Sequence, residues 1–170
     1  MAGSGNAMSG YAELFCFSNF TFLTGASHPH ELAERAAELG YTALAITDAC
    51  SVAGIPRAWA ALKESPVKLI TGSWFELEDA PAGAAIPRFI LLARSRKGYG
   101  QLCRLITTGR RRAEKGRYQL FFRDVETHEL DDCLCLWLPP ALVEADADQA
   151  LACGEWLHRL FDLRFWIGAA

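Results

Sequence analysis

Short apolar runs alternate with amphipathic segments along almost the whole of this 170-residue chain. The runs have the character of buried strands, and the segments between them have the apolar spacing of helices. A strand followed by a helix, repeated about six times, predicts a parallel α/β architecture with right-handed crossovers. An open doubly wound sheet and a (β/α) barrel both fit this alternation. In either fold, the loops that follow the strands form the functional face.

The pattern predicts each element in chain order. Strands are expected at residues 11–17, 43–47, 68–71 with an extension over 74–77, 89–93, 120–122, 133–138 and 164–167. Helices are expected at residues 29–39, 56–63, 95–109 and 146–161, with a helical turn at 124–130. Residues 79–86, rich in Ala, Pro and Gly, are expected to form a loop.

Composition suits one globular domain with a real core, because 51% of the residues are hydrophobic and 22% are charged. A net charge of -3 gives no global attraction to nucleic acid, so any such contact must come from a local patch. No apolar run is long enough to span a membrane. Residues 1–10 lack the basic and apolar regions of a signal peptide and are expected to be a disordered tail. These features predict a cytoplasmic protein.

The cysteines show no metal-binding or redox spacing, since the six of them include no Cys-x-x-Cys. Cys133 and Cys135 flank Leu134 in an apolar run and therefore face the same side of a strand. We expect a buried pair of thiols in a reducing compartment.

One His-x-His occurs in the chain, at His28 and His30, and its setting indicates a helix start. Ser27 or His28 is placed to cap the helix, with Pro29 in its first turn. His128 and His158 are isolated in the sequence, and we interpret both as surface residues.

Three predicted strand ends carry the most specific signal, at residues 11–23, 45–55 and 69–75. Together with Gly25-Ala-Ser-His-Pro and the block at 98–116, they resemble the PHP (polymerase and histidinol phosphatase) domain of bacterial C-family DNA polymerases. The likeness is greatest to the error-prone branch, a paralogue of the polymerase III alpha subunit. The resemblance implies a distorted (β/α)7 barrel. Residues 11–170 would be its N-terminal part, with about six β/α units.

The resemblance also identifies the positions at which metal-binding PHP domains carry their ligands. There the first strand ends in His-x-His, the second in Thr-Asp-His and the third in Gly-x-Glu. This chain has Phe15 and Phe17, then Asp48 followed by Ala49, then Trp74. Of these side chains only the Asp48 carboxylate can donate a lone pair to a metal. We therefore expect no metal, no other cofactor and no catalytic residue.

A basic run lies in the second similar block, where five cations accompany a single Glu114. The cations are Arg110, Arg111, Arg112, Lys115 and Arg117. One interpretation is a solvated helix end that complements the helix dipole. The other is a contact with nucleic-acid phosphates or with another domain of the polymerase, which would be salt-dependent and independent of sequence.

Three functions are compatible with these residues. The first is a catalytically silent PHP domain that serves as a structural or interaction module of an error-prone, translesion DNA polymerase. The second is a metal-dependent phosphoesterase or 3′-5′ exonuclease, and the third is a standalone interaction scaffold of PHP ancestry. The expected partners are the rest of the polymerase chain, DNA through the basic run, and a second copy through an open sheet edge at residues 165–167.

Overall fold

Within the described residues, six strands form one sheet whose order in space follows the order along the chain, from β1 to β6. The computed structural model describes residues 10–141 and 146–168. The strands are β1 (Ala12–Glu13), β2 (Ala43–Ile46), β3 (Lys68–Glu76), β4 (Arg88–Ala93), β5 (Cys133–Trp137) and β6 (Phe165–Ile167). The α-helices are α1 (Pro29–Glu38), α2 (Ile55–Leu62), α3 (Arg96–Arg112), α4 (Phe122–Thr127) and α5 (Ala147–Phe161).

The direction of β4 corrects the prediction of a wholly parallel sheet. β1, β2 and β3 pair in parallel, as do β5 and β6, but β4 is antiparallel to both of its neighbours. A parallel connection needs a crossover of a dozen or more residues, usually a helix. The segment between β3 and β4 contains no helix, so the chain turns back along the strand that it has just left.

The first strand is shorter than predicted. In the second half of the predicted range, backbone amides donate to side-chain oxygens and do not complete the hydrogen-bond ladder with the next strand. The amide of Phe15 donates to Glu13 Oε1 at 3.0 Å, and the amide of Cys16 donates to Thr47 Oγ1 at 2.9 Å. Such local bonds compete with strand pairing. The predicted strand at residues 120–122 is also wrong, since Phe122 begins α4.

The helices otherwise follow the predicted pattern, with ends that differ by a few residues. The amide of His28 donates to Glu31 Oε2 at 2.7 Å, which confirms the predicted helix start with His28 as the N-cap. Helix α3 continues past Gly109 to Arg112. No helix in the described ranges is long and apolar enough to cross a membrane. Of the tail predicted at residues 1–10, only Gly10 lies within the described residues.

The two faces of the sheet differ in what covers them. One face packs against α3 and α5 around a core that includes Phe75, Phe89, Leu91, Cys133, Cys135 and Leu157. The other face lines an open apolar cavity of about 630 Å³. Residues of both edge strands border that cavity, among them Ala12 of β1 and Trp166 of β6. Two edges can border one cavity only if the sheet curls, so the fold is an open half-barrel, an incomplete version of the predicted barrel.

Candidate functional site

The loops after β1 and β2 meet the last part of β3 at one end of the sheet, and together they hold the residues that match the PHP ligand positions. The ring of Phe17 makes edge-to-face contacts with Phe15 and Trp74, at centroid distances of 4.9 and 5.7 Å. Ala49 and Trp74 form a parallel β-bridge. Edge-to-face geometry is the favoured arrangement for packed aromatic rings. Apolar rings therefore occupy part of the space that ligands would need.

Asp48 lies in the loop after β2, next to Ala49, and is fully buried, as is Ser18. Its carboxylate accepts three hydrogen bonds from the loop after β1. The amide of Ser18 and the hydroxyl of Thr21 both donate to Oδ1 at 2.8 Å, and the hydroxyl of Ser18 donates to Oδ2 at 2.7 Å. Thr21 Oγ1 in turn accepts from the amide of Ala49 at 3.0 Å. The carboxylate thus ties two loops together through donors that the protein itself supplies.

The surroundings of Asp48 leave little room for an additional group. A Cβ placed on Gly54 would lie 2.9 Å from Asp48 Oδ2 and 3.0 Å from Pro29 Cγ. The described ranges also contain no cluster of three or more His, Cys, Asp or Glu side chains that could hold a metal ion. A transition-metal site in an enzyme needs about three protein ligands and an open position. One enclosed carboxylate with both oxygens engaged does not fit that requirement.

The main chain of residues 48–50 is held from two further directions. From β3, the hydroxyl of Ser73 donates to the carbonyl of Asp48 at 2.8 Å. From α3, Arg110 donates through Nη2 to the carbonyl of Ala49 at 2.8 Å and through Nε to that of Cys50 at 3.0 Å. The loop is therefore fixed by side chains that lie 25 to 61 residues away in the sequence.

Sequence reasoning did not find the roles of Ser18, Thr21, Ser73 and Arg110. Asp48 has no cationic partner among the described residues, and a buried carboxylate of this kind requires neutral donors. The hydroxyl side chains that follow β1 were the one available signal for such donors. The hydrogen bonds of Arg110 to a loop about sixty positions earlier could not be predicted, because local sequence patterns do not show long-range contacts.

The basic run divides into cations that bind groups elsewhere in the domain and cations that do not. Besides Arg110, which also lies over the ring of Tyr118, Arg112 is engaged through its Nη1 and Nη2 atoms with the Asp124 carboxylate at 2.5 and 2.9 Å. The Arg112 guanidinium holds the pKa of the Asp124 carboxyl below its usual value. Arg111, Lys115 and Arg117 are exposed. Only these last three are free of the domain-stabilising roles described here.

The histidines singled out in the sequence either contact neighbouring side chains or lie at the surface. The rings of His28 and His30 stack at a centroid distance of 5.4 Å, and the amide group of Asn19 contacts the His28 ring at 2.8 Å. His128 is partly buried, and its Nε2 lies 3.0 Å from Thr108 Oγ1. His158 is exposed, as predicted.

Cys133 and Cys135 are both fully buried, which confirms their shared orientation on β5. Burial raises the pKa of the Cys133 thiol to about 11 and that of Cys135 well above its usual value. Both side chains therefore remain neutral thiols at physiological pH.

Known proteins similar to this chain include several bacterial polymerases. The error-prone DNA polymerase of Methylococcus capsulatus is 52% identical over 168 residues, which cover 99% of this chain and 15% of that protein. Those of Pseudomonas aeruginosa and Vibrio vulnificus are each 49% identical and are covered over 14% of their length. The chain thus spans only a small part of these relatives. An amidohydrolase structure from Chromobacterium violaceum matches with a TM-score of 0.48 at 21% identity, covering 59% of this chain and 33% of that one.

The family comparison accounts for most of the chain and agrees with the resemblance seen in its strand-end motifs. The PHP domain family matches residues 14–162, a range that includes β2 to β5, all five helices and every ligand-matching position. This chain therefore belongs to the PHP domain family.

Proposed function

We propose that this chain is a catalytically silent PHP domain that serves as a structural and interaction module of an error-prone DNA polymerase in damage-tolerant replication. The observation that carries the proposal is the environment of Asp48. Its two carboxylate oxygens accept three hydrogen bonds from Ser18 and Thr21, and the residue is fully buried. A carboxylate in that state stabilises loops and is unsuited to activating a water molecule.

Activity measurements on the purified 170-residue chain test this proposal against its alternative, a phosphoesterase or exonuclease. We expect no turnover of an aryl phosphate and no shortening of a DNA 3′ end, with or without added manganese or zinc. The physical reason is that no side chain at the site is placed to activate a nucleophile. Turnover that survives repeated purification and disappears in Asp48→Ala would contradict catalytic silence.

The rest of a polymerase chain is the first partner that we propose. The relatives extend far beyond the region matched here, which covers 14–15% of their length. The open apolar cavity bordered by both edge strands would be covered in a larger protein. A standalone scaffold would instead have to leave this surface in water or cover it with another copy.

Contact with DNA remains a second proposal, and it rests on Arg111, Lys115 and Arg117. Three exposed cations that lie close together in the sequence supply a modest, salt-dependent attraction to phosphates. Arg110 and Arg112 contribute less to such a contact, because their guanidinium groups are already bound to Cys50 and Asp124.

Self-association of the isolated chain is a further expectation. Strand β6 pairs with β5 on one side, has no strand partner on the other within the described ranges, and exposes 47% of Trp166 and 65% of Ile167. Unpaired edges with apolar side chains are templates for pairing with another chain. We therefore predict a dimer or larger species at micromolar concentration in light scattering, with weaker association in Trp166→Lys.

The matched control for that substitution is Leu163→Lys. Leu163 is 86% exposed on the turn before β6, and it is not among the residues that line the cavity. We expect it to leave association unchanged. A monodisperse monomer across the micromolar range would show that the edge is protected without a partner. Equal weakening of association by both substitutions would show that the added positive charge, and not the loss of Trp166, causes the effect.

A further inference from the structure

The loop between β1 and α1 projects two adjacent apolar side chains into solvent at the candidate site. Phe22 is 84% exposed and Leu23 is 91% exposed. Leu23 also has a φ angle of 64°, in the left-handed region that a leucine seldom adopts. Single exposed apolar residues are ordinary on protein surfaces, but an adjacent pair at a strained loop tip is less so.

Hydrogen bonds hold the loop on both sides of Phe22 and Leu23. The amides of Thr24 and Gly25 both donate to the carbonyl of Thr21, at 3.1 and 2.9 Å, and the amide of Asn19 donates to the carbonyl of Ser27 at 2.8 Å. The hydroxyl of Thr21 is bound to Asp48. A loop fixed in this way loses little conformational entropy on binding, which favours association.

The chemistry of the loop indicates what it could contact. Residues 18–27 read Ser-Asn-Phe-Thr-Phe-Leu-Thr-Gly-Ala-Ser and include no charged side chain. The guanidinium of Arg57 lies over the ring of Phe20, 5.6 Å from its centroid, and is therefore already engaged. Binding to nucleic acid depends on cations placed against phosphates. An uncharged tip with one aromatic and one aliphatic side chain matches an apolar pocket on a protein.

We infer that Phe22 and Leu23 form a docking knob that inserts into an apolar pocket on the polymerase portion of the longer chain. The inference rests on the proposed function, because that portion is the partner of this domain there. Relatives with about half of their residues identical to this chain devote some 85% of their length to regions outside the match. The Asp48 carboxylate would then support docking, by holding the loop that carries the knob.

Hydroxyl-radical footprinting tests the inference by comparing the isolated chain with a chimera. In the chimera this chain replaces the matching region of the Methylococcus capsulatus polymerase. We expect oxidation of Phe22 and Leu23 to fall about fivefold or more in the chimera, as for side chains buried in an interface core. Tyr99 is 43% exposed and lies at the opposite end of the sheet, so its oxidation should change little. Where the chimera does not fold, the polymerase portion added in trans gives the same comparison.

A pair of variants separates docking from folding. In Phe22→Ser with Leu23→Gly, the isolated chain should keep its melting temperature, because both side chains are exposed and glycine suits a positive φ. The same double variant should weaken binding in trans by roughly thirtyfold or more, since two apolar side chains lose their burial. Leu151→Ser, at a residue 60% exposed on α5, is the matched control and should leave binding intact.

Each other outcome overturns the inference in a recognisable way. Equal oxidation of Phe22 and Leu23 in a chimera that extends primed DNA would reject the knob and leave the proposed function standing. Protection in the isolated chain on adding DNA would assign the loop to nucleic acid. Protection that rises with the concentration of the isolated chain would assign it to a second copy.

Discussion

Replacing Asp48 with alanine is expected to lower the free energy of unfolding by about 3–5 kcal/mol. The substitution leaves three donors without an acceptor in a region that excludes water, namely the Ser18 amide and the hydroxyls of Ser18 and Thr21. It also frees the loop that carries Phe22, so chymotrypsin should cleave there earlier. Urea unfolding of both proteins, followed by tryptophan fluorescence, measures the difference.

The matched substitution for this prediction is Asp48→Asn, which keeps the size of the side chain. Its amide oxygen can still accept from the Ser18 amide and the Thr21 hydroxyl. Its NH2 group can donate to the Ser18 hydroxyl, which can rotate to accept. We expect a loss of only about 1 kcal/mol. Equal losses in the alanine and asparagine variants would show that negative charge, and not hydrogen bonding, is what the fold requires.

The second large effect is expected from Gly98→Ala, at the start of α3. A Cβ at this buried position would lie 2.1 Å from the carbonyl oxygen of Asp132, which is main chain and cannot rotate away. Helix α3 would have to move from the segment that leads into β5. We expect a loss of about 2–4 kcal/mol in the free energy of unfolding.

Gly100→Ala supplies the control for that prediction on the same helix. Its Cβ would meet nothing closer than the terminal Nη1 atom of Arg104 at 3.9 Å. Alanine is the better helix former, so this variant should gain roughly 0.5–1 kcal/mol. A lower free energy of unfolding in Gly98→Ala together with a higher one in Gly100→Ala would verify the packing of α3. A loss in both variants would mean that the helix start lies elsewhere.

The elements with strong periodicity were predicted from sequence nearly as they occur. The helix predicted at residues 146–161 is observed as Ala147–Phe161, and β5 ends before the two prolines that were expected to stop it. Local pattern suffices there, because apolar spacing, caps and breakers all act within a few residues.

Strand direction and strand length depended on interactions that local pattern does not contain. The antiparallel course of β4 follows from a connection that has no crossover helix, a feature visible in the sequence as the loop at residues 79–86. The shortening of β1 depends on Thr47, whose hydroxyl accepts from Cys16 across 31 residues. Only the folded arrangement brings these two groups together.

The candidate site was predicted in its position but not in its interactions. The resemblance placed Phe17, Asp48 and Trp74 after adjacent strands, and the structure brings them together, although Trp74 lies within β3 and not beyond its end. The donors that occupy Asp48 were missed, because Ser and Thr in a loop carry many possible roles in sequence. Both interpretations of the basic run treated its five cations alike, whereas Arg110 is bound to the carbonyls of Ala49 and Cys50.

The most direct test of the account is the effect of metal ions on the stability of this chain and of its Asp48→Asn variant. Thermal unfolding would be measured with a chelator and then with excess zinc or manganese, alongside elemental analysis. We predict no metal-dependent rise in the melting temperature of either protein and no stoichiometric metal, because both Asp48 oxygens already accept hydrogen bonds. A rise that is present in the parent chain and absent in Asp48→Asn would show that a metal binds the native state through this carboxylate. Such a result would contradict the conclusion that Asp48 serves the protein as a hydrogen-bond acceptor alone.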